Sequence, residues 1–166
     1  MLLEQADGTS WMGMYALDMM NIAMEIAIHD ISFQDSATKF YEHFVILAEA
    51  LNELGLWNEQ DKFYYDLLSL NNSQAIPLKV RSIVGLSPMF AVTVIERKVI
   101  DALPDFAKRM QWFQNYRETN KLYLPSQEHL EDESLLLSLV DKERLQYLFE
   151  KVLDESADAV RTIVID

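Results

Sequence analysis

Residues 11–28 read WMGMYALDMMNIAMEIAI, and this stretch decides the predicted fold. Its polar residues Asp18, Asn21 and Glu25 recur at spacings of three and four, so on a helix they form one narrow stripe. Apolar residues cover most of the remaining surface. A helix that is apolar nearly all round is expected to be buried nearly all round. We therefore predict an inner helix over residues 10–28.

A second helix is predicted directly after the short connector at residues 30–32. Ser32 and Asp35 suit its cap and first turn, and apolar residues then repeat at helical spacing from Phe33 to Leu54 against a charged face. Gly55 suits the left-handed residue that ends such a helix. Because the connector is short, the two helices are expected to form an antiparallel hairpin of one inner and one outer helix.

Residues 56–81 change to a strand pattern, in which aromatic residues are followed by an alternation of apolar and other residues up to Arg81. This pattern predicts a β-hairpin that turns at residues 71–73. Further helices are predicted at residues 87–95, from Pro104 onward and at residues 141–154, with an exposed linker at residues 119–134. The fold class predicted from these elements is mainly all-α with one small β-hairpin.

Composition limits the class of protein. The 166 residues are 50% hydrophobic, which is enough for one globular unit over residues 1–166 with a real core. The formal charge of −13 argues against a nucleic-acid partner, because it repels a phosphate backbone. The absence of cysteine removes disulfides and thiolate zinc sites and fits a reducing cytoplasm. We expect no signal peptide and no membrane span, since charges interrupt the most apolar run.

Three segments carry a resemblance to a known family: LEQADGTSWM at residues 3–12, LWNEQDKFYYD at 56–66 and IPLKVRS at 76–82. In order and spacing they resemble bacterial proteins of glycoside hydrolase family 63. The resemblance covers most of the chain. It implies part of a six-hairpin α/α toroid and inverting hydrolysis of α-glucosidic or related linkages, without a cofactor or metal.

The same resemblance implies that the catalytic residues are missing. Inverting hydrolysis needs a carboxylic acid and a carboxylate roughly 6.5–9.5 Å apart. The family's acid precedes the segment that matches Leu3, and its base follows the point at which residues 156–166 leave the family pattern. We therefore expect a hydrolase fragment that carries part of the sugar-facing wall and is inactive alone. Exposed apolar surface on such a fragment predicts self-association or a completing protein chain.

The predicted substrate-binding residues each have a simpler alternative. Asp7 could bond a sugar hydroxyl or fix a turn with Thr9, and Trp11 could stack on a sugar or belong to the core. Arg81 could bind a ligand oxygen or pair with a carboxylate. The resemblance adds two residues as pocket wall, with a solvated loop as their alternative. The complete predicted set is Glu4, Gln5, Asp7, Thr9, Trp11 and Arg81.

One further prediction concerns metal binding. The run at residues 58–66 is rich in carboxylates but lacks the alternating ligands and central glycine of a calcium loop, which predicts a tight turn instead.

A second functional hypothesis also stays open. The chain could be a non-catalytic helical module that presents an acidic or apolar surface to a protein partner.

Overall fold

The computed structural model describes residues 2–70 and 75–153. Of these residues 59% are helical and 18% lie in strands, which form three small antiparallel sheets. The prediction of a mainly all-α fold with one β-hairpin is therefore wrong, and no toroid is formed by the part of the chain described. The buried apolar side chains nevertheless join into one core.

The predicted helical hairpin at the start of the chain is confirmed. Helix α1 spans Ala6–Ala27 and helix α2 spans Gln34–Glu53, with a 3-10 turn at Ile31–Phe33 between them. The Asp30 side chain accepts a hydrogen bond from the Ser32 backbone and so fixes the connector. Gly55 follows α2 with φ of 73°, the left-handed conformation expected at a helix end.

A three-stranded sheet lies at the N-terminal end of α1. Strand β1 (Leu2–Glu4) pairs with β4 (Asp66–Ser69), which pairs in turn with β5 (Ala75–Leu78). The pairing of β4 with β5 confirms the predicted hairpin, although its turn at residues 71–73 lies outside the described residues.

A second, smaller hairpin is formed by β2 (Trp57–Asn58) and β3 (Phe63–Tyr64). The Asn58 side chain accepts from the backbone N–H groups of Gln60 and Asp61, and Lys62 has φ of 50°. The expected tight turn at this acidic run is therefore confirmed.

The predictions for residues 87–95 and 119–134 are wrong. A 3-10 helix occupies Ile83–Phe90 and contains Pro88, after which Val92–Ile95 form strand β6. Strand β8 (Leu135–Ser138) lies between β6 and β7 (Ser126–His129), so the predicted linker contributes a strand of the third sheet. The β-branched run of β6 favours a strand over a helix, and Leu135 and Leu137 bury the inner face of β8.

The remaining helices are α3 (Arg97–Ala102), α4 (Pro104–Thr119) and α5 (Lys142–Leu153). Pro104 opens α4 as predicted, because proline costs no hydrogen bond in a first turn. Phe106 and Met110 of α4 are buried against the core, and Tyr41 of α2 packs edge-on against Phe106. In α5 the buried side chain is that of Leu148.

The expectation that α1 is buried nearly all round is also wrong. Its buried residues repeat at spacings of three and four and form one face. The opposite face is open to solvent and keeps large apolar side chains. We call this set the outer face of α1; its residues and exposed fractions are Trp11 (62%), Met12 (52%), Tyr15 (56%), Ile22 (53%) and Ile26 (39%).

Two buried phenols make the fold sensitive to alkali. Burial raises the pKa of Tyr41 and of Tyr64 to about 12 from an ordinary value of 10.0. In the unfolded chain these phenols lose their protons near pH 10, whereas the folded protein keeps them to about pH 12. Between these values the unfolded chain binds fewer protons, so stability falls as pH rises, by about 1.4 kcal/mol per pH unit and phenol.

We expect urea unfolding from about pH 9 to about pH 11 to show this decline. Tyr41→Phe should make the decline shallower, because it removes one titrating group. Tyr15→Phe changes an exposed phenol and should leave the slope as it is. An unchanged slope in Tyr41→Phe would contradict the assignment.

Candidate functional site

The junction of β1 with α1 is built by a residue far away in sequence. The first helical N–H, on Ala6, donates to the carboxylate of Asp66 at 2.8 Å, across a separation of 60 residues. Gln5 occupies the N-cap position but makes no side-chain cap. A carboxylate at this position satisfies an otherwise unpaired N–H, and its negative charge interacts favourably with the positive end of the helix dipole. Asp66 was not among the predicted site residues, and no local sequence signal links it to α1.

Four of the predicted residues lie together at this junction: Glu4, Gln5, Asp7 and Thr9. The side chains of Glu4, Asp7 and Thr9 each make one hydrogen bond within the chain. Glu4 accepts from the Ser69 hydroxyl at 2.9 Å, across the pairing of β1 with β4. Asp7 accepts from the next backbone N–H at 2.7 Å, and the Thr9 hydroxyl donates to the Gln5 carbonyl at 3.0 Å. The contacts of Asp7 and Thr9 fix the first turn of α1, as expected if these two residues fix a turn and do not bind a sugar.

Trp11 lies one turn further along α1 and is 62% exposed. Asp7 precedes it by one helical turn and Tyr15 follows it by one, so these side chains lie on the same side of α1. Trp11 is therefore not part of the core. An exposed indole and phenol in a row offer flat, amphipathic contact area of the kind that interfaces use.

Arg81 is at the same end of the sheet, three residues past β5, but its surroundings are different. The Tyr65 hydroxyl and the Asp61 carboxylate raise the pKa of its guanidinium. Asp61 is itself paired with Lys79 at 2.7 Å. Arg81 therefore lies near a local group of charges at the β2–β3 turn, but forms no ion pair of its own among residues 2–70 and 75–153.

Another polar cluster, not predicted from the sequence, joins α5 to the first half of the chain. Arg144 donates to the Asn52 side chain of α2, and its guanidinium lies over the Trp57 ring at 5.1 Å from the centroid. The Tyr64 hydroxyl is 3.4 Å from the same guanidinium. Each partner comes from a different element, which assigns Arg144 a role in holding α5 in place.

Four carboxyl groups in the part of the chain described have a lowered pKa because they accept hydrogen bonds: Asp30, Glu59, Asp61 and Asp132. Over the same residues, no three histidine, aspartate or glutamate side chains are grouped closely enough to hold a metal ion.

A helical hairpin packed against small antiparallel sheets thus defines a mixed helix and strand protein. Comparison with known proteins gives a match to "Uncharacterized protein YMR196W" of Saccharomyces cerevisiae, with 37% identity over 172 residues. The match covers 93% of this chain and 16% of the yeast protein, so the chain spans about one-sixth of that relative's length. The sequence matches no protein-family model. It also matches no solved structure.

These findings correct the family assignment. The resemblance to glycoside hydrolase family 63 is wrong, because the similarity found is to an uncharacterized yeast protein and no hydrolase family matches. The mixed helix and strand content equally contradicts an α/α toroid. Separately, none of the described helices is long and apolar enough to cross a membrane.

Proposed function

We propose that this chain is a non-catalytic protein-interaction module that docks through the outer face of α1. The observation that carries the proposal is the exposure of large apolar side chains along that face, from Trp11 to Ile26. A contiguous exposed apolar patch on a folded protein is a feature of interaction sites. Its helical spacing suits a second helix as the partner.

The charges on α1 specify the chemistry of that partner. The helix carries Asp7, Asp18 and Glu25 and no lysine or arginine, and the whole chain has a formal charge of −13. A partner helix with apolar residues on one side and lysine or arginine at the flanks would complement both features. The yeast relative is about six times longer than the matched stretch, which leaves ample chain for such a helix within one polypeptide.

The proposal also includes the cellular compartment and the kind of partner to which the module docks. The lack of cysteine suits a module that works in the reducing cytoplasm. We favour docking against a separate segment of a longer protein over self-association, because two copies of this acidic surface would repel each other.

The test uses two synthetic helical peptides with the same leucine face, one flanked by lysine and the other by glutamate. We expect the lysine peptide to bind, and the double variant Ile22→Ser, Ile26→Ser to weaken that binding by about tenfold or more, since burial of both side chains is lost. Ile46→Ser is the matched control, because Ile46 is also exposed but lies on α2. Isothermal titration calorimetry measures each affinity.

Two outcomes would contradict the proposal. One is equal binding of the lysine and glutamate peptides, which would remove the charge argument. The other is equal weakening by the α1 double variant and by Ile46→Ser. Sedimentation velocity on the unmodified protein adds a further check: a dimer lost in the α1 double variant would assign the face to a second copy.

A carbohydrate ligand is the second candidate, favoured by the exposed indole of Trp11 beside the polar groups of the junction. Stacking of a sugar needs Trp11 and Tyr15 but not Ile22 or Ile26. Titration with maltotriose therefore separates the candidates. Sugar binding that is lost in Trp11→Ala and kept in the isoleucine double variant supports this one, and the absence of any binding removes it.

A further inference from the structure

The solvent side of α1 carries apolar residues at a spacing that determines how a partner helix can pack there. Met12, Tyr15, Met19, Ile22 and Ile26 follow one another at intervals of three, four, three and four residues. We call these five residues the heptad row. Four of them belong to the outer face of α1, and the half-buried Met19 completes the spacing. The intervals are those of the a and d positions of a heptad abcdefg, which pack two helices at a crossing angle of roughly 20°.

The two flanks of the heptad row have different chemistry. Asp18 and Glu25 are seven residues apart and each directly precedes an a position, so both occupy g positions. Both carboxylates are exposed, and neither forms an ion pair in the part of the chain that the structure describes. The e positions on the other flank are Ala16 and Ala23, which are 3% and 4% exposed. A partner can therefore exchange charge with α1 on the g flank alone.

One cation of the chain influences this flank from α3. The pKa of the Lys98 ammonium is raised mainly by its hydrogen bond with Glu96, whose carboxylate lies 2.6 Å away, and to a smaller extent by Glu25. Lys98 is therefore paired with Glu96, and Glu25 keeps its charge for a partner.

A second copy of the chain does not complement this flank. In an antiparallel pair of helices the g positions face each other, which would bring Asp18 and Glu25 against the same two acids. In a parallel pair g faces e, and the e positions are buried alanines. The carboxylates therefore need a helix of different sequence, with lysine or arginine at the positions that face them.

We propose that α1 forms a two-stranded coiled coil with such a helix, which carries apolar residues at its own a and d positions and cations seven residues apart on one flank. This inference rests on the proposed function and specifies the partner of the same face. The heptad row supplies apolar contact area, and the two ion pairs set the register. A slip of one heptad would leave Asp18 or Glu25 unpaired.

Charge reversal on the g flank tests this geometry, with the lysine and glutamate peptides carrying leucine at a and d and their charges at e and g. The unmodified protein should prefer the lysine peptide. The double variant Asp18→Lys, Glu25→Lys should prefer the glutamate peptide, so that the ratio of the two affinities changes by about tenfold or more. Glu42→Lys, Glu53→Lys changes the net charge equally on α2 and should keep the preference for lysine. Isothermal titration calorimetry measures the four affinity ratios needed.

The proposal is overturned if the two reversals change the affinity ratio equally, because net charge would then decide and not the g flank. Failure of the proposed function looks different: neither peptide binds the unmodified protein, or Ile22→Ser, Ile26→Ser leaves binding as it was. Asp18→Asn, Glu25→Gln keeps the side-chain sizes and serves if the reversal variant does not fold. It should remove most of the preference for lysine, and a full preference in this variant would equally refute the register.

Discussion

Gly85→Ala is expected to destabilise the protein by about 3 kcal/mol, because there is no space for even one methyl group at this position. Gly85 is buried in the 3-10 helix Ile83–Phe90. A Cβ atom there would lie 2.5 Å from the Tyr64 carbonyl oxygen and closer still to the Phe63 ring. The ring can turn aside, but the carbonyl belongs to the backbone of β3. The added methyl therefore forces two elements of the core apart.

Urea unfolding at neutral pH measures this loss, and Gly8→Ala is the matched control. Gly8 lies in the first turns of α1, where a Cβ would meet only the Gln5 side chain, at ordinary distances of 3.5 Å from its Cβ and 3.8 Å from its Oε1. Alanine is the better helix former, so Gly8→Ala should raise stability by up to about 1 kcal/mol. Similar free energies of unfolding for the two variants would show that crowding at Gly85 is not what we describe.

Arg117→Ala is expected to cost about 3 kcal/mol, since it leaves a poorly solvated carboxylate without its partner. Arg117 is 5% exposed, and its Nη2 lies 2.6 Å from Glu49 Oε1. Among the described residues Nη2 makes no well-directed hydrogen bond, so the contact is an ion pair. The guanidinium also donates to the Tyr123 carbonyl at 2.8 Å. The side chain thereby ties α2, α4 and the segment that follows α4.

The control for Arg117→Ala is Arg97→Ala. Arg97 pairs with Asp101 and Glu133, but its side chain is 50% exposed, so we expect a much smaller loss than in Arg117→Ala. A double replacement, Arg117→Met with Glu49→Leu, should recover much of the stability lost in Arg117→Ala, because an apolar pair leaves no charge buried. Equal losses in the two single variants, measured by urea unfolding, would refute the assigned difference.

The parts of the fold that could be predicted are those with a long periodic pattern. Helices α1 and α2 repeat over many turns, and Gly55 and Pro104 end and begin helices for reasons that are local to the backbone. Strand β6 could not be predicted in the same way. Residues 92–95 are a short β-branched run after a proline. Four residues favour a strand but are too few to establish one without the pairing with β8, some forty residues later.

The candidate site shows a similar limit. The local pattern predicted Asp7 and Thr9 just before a helix that begins at residue 10, whereas α1 already begins at Ala6 and contains both residues. The pattern could not show that Asp66 caps α1, because Asp66 and Ala6 meet only through the pairing of β1 with β4. Nor could it distinguish a buried helix from one with an outer apolar face. Both have the same composition, and the difference lies in how much chain packs around them.

The cap that Asp66 provides for α1 has a consequence for synthesis of the chain. During translation α1 is made before Asp66, so its first N–H must pair with water until the strand that carries Asp66 arrives. Closing a contact across 60 residues requires ordering the intervening chain. The N-terminal turn of α1 is therefore completed late in folding, and until then this end of the helix frays.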